Sequence, residues 1–408
     1  MGTKATKFLA LACMGLAAAA AAAPPQGIEE IQLDWARLPR MTGHPPSHAF
    51  GDGMGATMGE QAGSTHEIAF VTGARPEVVV SGQNYGGLAR IGADDRIVYQ
   101  RLPLGSGPHG LAFDADGLLW VTLEFTGRVV AFSGDGRKVR DIDVRIACPG
   151  CAVPLNPHPH GLGLARDGRT AWFTGKATGT VSRIAADGTV ATYQLPTIGS
   201  VPIYIRPGPD PIVAPGATPR ETMWVTELAG NAIAAISVAP PGRRGDRGAA
   251  LQGDIVEYGI PTPNSRPIAV EEGPDGRMWF SEEAGGKVGR VEASGKIAEF
   301  ILPTPSGRPP LLLAALAFDR DGNLWVQQYV DHAHPEPGAR DRLVRISARI
   351  ARSDPGGLRP EDFTCFPVAT VRTVMHRIAR APDGLLWFTE MNANNAGRLD
   401  PRATGQTC

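Results

Sequence analysis

The residues of this 408-residue chain best suited to chemistry are its nine histidines and a recurring set of glutamates. His66, His109, His160 and His376 each stand at the head of a short apolar run, two of them inside Pro108-His109-Gly110 and Pro159-His160-Gly161. Glu124, Glu227, Glu282 and Glu390 each close a later run built on Trp-Val or Trp-Phe followed by Thr or Ser. Imidazoles and carboxylates at one place can hold a divalent cation, imidazole favouring a transition metal and carboxylate favouring Mg²⁺ or Ca²⁺. A cation of this kind polarises a carbonyl while a neutral histidine removes a proton from the carbon beside it. His376 with Glu390 is the best pair for such work, and Glu282 and the other strand-start histidines are supporting candidates.

These residues fall in a repeat. Met375 to Leu399 reads as a histidine, a Pro-Asp-Gly turn, a Leu-Leu-Trp-Phe-Thr-Glu run, an Asn-rich turn and Gly-Arg-Leu. Asp-Gly between two apolar runs signals a hairpin, because these residues accept the positive φ of tight reversed turns. The pattern recurs at Pro108, His160 and Pro267, a period of about 40 to 50 residues with four short strands per unit, which marks a β-propeller. Inner strands start near His66, His109, His160, Ile203, Ile268, Ala314 and His376. The expected fold is all-β: a seven-bladed β-propeller of four-stranded antiparallel blades. Ile28–Leu38 is expected as a strand that completes the last blade, since a closed ring leaves no open edge. In an up-and-down meander the inner-strand starts and second-strand ends share one face. All nine histidines, including His44, His48, His158, His332 and His334, are expected there.

Forty basic and forty-one acidic residues leave a net charge of −1, which argues against nucleic acid or an anionic membrane as partner. Lys4 and Lys7 followed by an apolar run to Ala23 read as an export signal over residues 1–23, too short and alanine-rich for a membrane span. The protein is therefore expected in the periplasm or secreted, as one domain over 24–408 with loops at 40–64, 145–158, 206–221, 240–253 and 330–340. Beyond the signal, Cys148, Cys151, Cys365 and Cys408 are disulfide candidates. Cys148 and Cys151 would close a small loop, and Cys365 with Cys408 would staple the C-terminal tail to an earlier blade. A closed ring demands no second subunit, so a monomer is expected.

The units resemble the streptogramin B lyases, or virginiamycin B lyases. The likeness rests on Pro-His-Gly, Pro-Asp-Gly, Trp-Phe-Thr-Glu and Gly-Arg, and is best over Asn264–Pro305 and Val374–Asp400. It implies a Mg²⁺-dependent lyase that opens a cyclic ester by elimination. It implies further that His376 is the base and that Glu390, fourteen residues later, binds the metal. Two features of that family are missing here. Val374 stands where a second metal-binding glutamate is expected, and the blade-six histidine is replaced among Pro309, Pro310 and Ala314. His332 and His334, in the loop after the second strand of blade six, are placed to substitute for it. Two alternatives stay open: a non-catalytic exported scaffold whose loop-rich face binds a protein, peptide or glycan, and a metal-dependent lactonase of the gluconolactonase type.

Overall fold

A computed structural model describes residues 27–38, 64–71, 77–213, 218–238, 253–304, 311–331 and 340–408. The export signal, His44, His48, His332 and His334 lie outside the described residues.

Among the described residues, seven antiparallel sheets follow one another, six of four strands and one of five. Each is a meander from an inner strand outward, and the inner strands touch their neighbours in a closed cycle, the last (Met375–Arg380) against the first (Thr65–Val71). The seven inner strands begin where the repeat placed them. Ile28–Gln32 pairs with Asn395–Leu399, so the N-terminal strand completes blade seven and closes the ring. That strand is shorter than expected. It ends at Gln32, and Trp35–Arg37 is a 3-10 turn. The turn buries Trp35, whose indole N–H donates to Thr65 Oγ1 at 2.8 Å and whose ring stacks on Tyr85. A buried tryptophan with a satisfied donor outweighs the weak alternation that suggested a longer strand.

The Trp-Phe motif serves packing between blades. Asp114, Asp275 and Asp319, from the turns after the inner strands, accept the indole N–H of Trp120, Trp279 and Trp325. In the Gly-Arg motif the arginine lies over the blade's own tryptophan, as Arg290 does over Trp279 and Arg398 over Trp387. The glycine is there for the phenylalanine: a Cβ on Gly397 would stand 2.1 Å from Phe388 Cζ.

Both expected disulfides form, Cys148–Cys151 and Cys365–Cys408. The second brings Gln406–Thr407 alongside Phe363–Pro367 as a fifth strand of blade six. No described helix is long and apolar enough to cross a membrane.

Candidate functional site at the propeller axis

Every inner strand slips register against its second strand at its start, between Thr65 and Ile68, Pro108 and Leu111, Pro159 and Leu162, and Met375 and Ile378 in the four histidine-bearing blades. A bulge of this kind bends the strand and re-aims a side chain. Here it carries the histidine. The bulged amides of Glu67, Gly110, Gly161 and Arg377 donate to Ser81, Thr122, Thr174 and Thr389 at 2.7–3.0 Å. Three of these hydroxyls then donate to a carbonyl in the next blade at 2.8 Å: Ser81 to His109, Thr122 to His160, and Thr389 to His66 across the seam. The second-strand hydroxyl thus ties the backbones of His66, His109 and His160 to the preceding blade.

The four histidines converge on the axis. Ring centroids are 5.1 Å apart for His66 and His109, 3.7 Å for His109 and His160, 5.1 Å for His66 and His376, and 5.6 Å for His109 and His376. All four are buried. A carbonyl can only accept, so Nδ1–H of His66 donates to Ser64 O and Nδ1–H of His160 to Ile203 O. Their Nε2 atoms therefore carry the lone pairs when the rings are neutral. Burial pushes His109 and His160 well below the usual imidazole range, and neighbouring imidazoles add to the effect. Both are neutral at physiological pH.

Two carboxylates face this cluster. Glu67 Oε1 is 3.6 Å from His376 Nε2, and Glu67 is also gripped by the Arg377 guanidinium, Nε to Oε2 at 2.8 Å. Burial alone would raise the Glu67 carboxyl, but the charge and hydrogen bonds of Arg377, with His376 close by, hold it well below the ordinary range. Arg377 in turn lies 3.9 Å over the Tyr204 ring. On the other side, Glu124 takes a hydrogen bond from Gln83 Nε2, with His158 Nδ1 and Lys176 Nζ at 3.7 and 3.6 Å from Oε1. Among the described residues, two sets have ligand atoms within 4.8 Å of one another: Glu67, His109 and His376, and His109, Glu124 and His160.

His66, His109, His160 and His376 are thus brought together, with His158 beside them. Glu282 and Glu390 join neither set. Glu390 accepts from Asn395 Nδ2 at 2.9 Å, and burial, with Glu30 and Asp341 nearby, pushes its carboxyl up to about 8. Glu282 stands likewise beside Glu299, and Glu227 beside Glu257. The outer-strand partners hold the inter-blade loops: Glu30 accepts from the Ala369 and Thr370 amides, Glu257 from Thr197, and Glu299 from Thr262. The second-strand glutamate is therefore turned toward its own blade's outer strand in these three blades, and toward the axis in blade two. Glu67, Arg377, Lys176 and Tyr204 were not foreseen. A signal existed for the first two, since a charged residue follows His66 and His376 where the repeat has glycine.

Residues 136–334 match the sequence profile of the virginiamycin B lyase family. Virginiamycin B lyase of Nocardia farcinica is 33% identical over 245 residues, 53% of this chain and 78% of that protein. The chain belongs to the virginiamycin B lyase family. Solved structures of the family share its fold. A streptogramin B lyase superposes with a TM-score of 0.64 at 20% identity, over 91% of this chain and 96% of its own. A catalytically inactive virginiamycin B lyase from Staphylococcus aureus, solved with quinupristin, gives 0.63 at 22% identity, over 91% and 99%.

Mg²⁺ takes a near-octahedral shell of oxygens, whereas among the described residues both sets at the axis of this virginiamycin B lyase relative are mixed imidazole and carboxylate with His109 in common, and neither set fits Mg²⁺.

Proposed function

We propose that this virginiamycin B lyase-like protein opens a cyclic ester by carbon–oxygen elimination, with His376 as the base. The reading is carried by the 3.6 Å approach of His376 Nε2 to Glu67 Oε1 in a buried axial cluster. An ionised carboxylate on an imidazole orients the ring and stabilises the imidazolium that forms as a proton arrives. His376 takes the proton from the carbon next to a carbonyl. The electron pair left behind forms a carbon–carbon double bond, the carbon–oxygen bond at the next carbon breaks, and the ester oxygen leaves as carboxylate. Glu67 stays ionised throughout because Arg377 compensates its charge. The low dielectric around the histidines strengthens these charge interactions relative to water.

Export belongs to the same reading, supported by the apolar leader and by two disulfides suited to an oxidising compartment.

Quinupristin, the ligand of the Staphylococcus aureus structure, is the first substrate to try. Elimination gives a ring-opened isomer of unchanged mass carrying a new alkene, while hydrolysis adds the mass of one water. Mass spectrometry with proton NMR separates the two. A product heavier by water overturns the elimination, and intact quinupristin together with intact simpler macrolactones overturns the lyase reading.

A further inference from the structure

We propose that His109, His160 and Glu124 bind one transition-metal ion of the zinc class, with a coordination position left open. Their ligand atoms lie within 4.8 Å of one another, and the side chains are 1%, 6% and 0% exposed. Neither ring nitrogen of His109 has a hydrogen-bond partner among the described residues, nor has Glu124 Oε1. Polar atoms buried without partners are costly, and a native fold rarely gathers several at one point without a ligand to satisfy them. An ion at the centre of the three satisfies both residues at once.

The remaining contacts are those of oriented ligands. His160 donates Nδ1–H to Ile203 O at 2.9 Å, which fixes the tautomer and leaves Nε2 to coordinate, the arrangement that metal-binding histidines commonly show. Gln83 holds Glu124 by Oε2, which leaves Oε1 for the ion. Lys176 Nζ stands 3.6 Å from that oxygen, so the ion and Lys176 compete for Glu124. Two histidines and one glutamate are a ligand set of hydrolytic and Lewis-acid zinc sites, in which a water or substrate oxygen takes the fourth position. The same set rejects Mg²⁺ and Ca²⁺, which favour all-oxygen shells. His376 is not one of the three; its ligand atom groups instead with Glu67 and His109.

The site stands apart from the elimination reading, and binding is measured with no substrate present. Full-length protein stripped with chelator is titrated with Co²⁺, whose visible absorption reports coordination, and with Zn²⁺ in competition. The expected result is one equivalent bound, with Mg²⁺ in large excess failing to displace it. Glu124→Gln and His109→Gln should each weaken Co²⁺ binding by at least about 100-fold, the upper range for disturbing even the outer partners of a metal site. Glu390→Gln should leave binding unchanged. Circular dichroism confirms that each variant is folded, and Glu124→Gln, nearly isosteric, serves if His109→Gln is not. Absence of stoichiometric binding by the wild type, or equal binding by folded Glu124→Gln, overturns the proposal. Loss of binding in Glu390→Gln overturns it too, because it moves the ion to the other carboxylate.

Discussion

His376 Nε2 and Glu67 Oε1 stand 3.6 Å apart across the seam where the last blade meets the first. Beside them Arg377 Nε donates to Glu67 Oε2 at 2.8 Å, across 310 residues of sequence. The contact proposed to orient the base is therefore also one that closes the ring, so on that proposal it ties chemistry to stability.

That double role separates two kinds of variant. His376→Ala removes the base and leaves the Glu67–Arg377 pair in place. Elimination should fall by about 10² to 10⁴-fold, the usual contribution of a positioned base. Single-turnover kinetics on a cyclic ester that the wild type opens should show the loss in the chemical step, with binding retained.

Glu67→Gln strands the Arg377 guanidinium, 3% exposed, without its counter-charge. Removing one partner of a buried pair costs about 3 to 5 kcal/mol, most of it from the charge left behind. Chemical denaturation should show that loss, and Glu67→Gln combined with Arg377→Met should recover most of it. A double variant no more stable than the single would show that the pair is not the source.

The buried glutamates between blades set a pH dependence. Burial, with Glu299 and Glu257 beside them, pushes Glu282 up to about 8 and Glu227 up to about 7. The reference value is 4.5, so between that pH and about 8 the folded chain holds protons that the unfolded chain has released. Folding stability therefore declines as pH rises through this window and levels off above it. Thermal melts from pH 5 to pH 9 should show the decline, and Glu282→Gln should flatten it. Parallel curves for the two proteins would contradict the assignment.

The two disulfides should differ in weight. Cys365–Cys408 closes a separation of 43 residues and Cys148–Cys151 a separation of 3. Chain entropy gives about 4 kcal/mol for the first and about 2 for the second. Cys408→Ser should lower the melting temperature more than Cys151→Ser and should speed amide exchange at Gln406–Thr407, which the bond holds against blade six. An equal effect of the two changes would point to a cause other than loop closure.

Local chemistry was enough to read the propeller. Asp-Gly turns and the tryptophan that six of the seven second strands carry act within one repeat, so seven inner-strand starts and the closing N-terminal strand are legible in the sequence. His66, His109, His160 and His376 were legible as a group for the same reason, since each occupies the same position of its repeat. The tertiary structure alone decided their partners. Glu390 follows His376 at a suggestive spacing, yet it turns to Asn395 near Glu30, because a second-strand side chain can face either the axis or its own outer strand and the repeat does not say which. The carboxylate His376 does meet, Glu67, lies at the other end of the described chain, and only ring closure brings the first and last inner strands together.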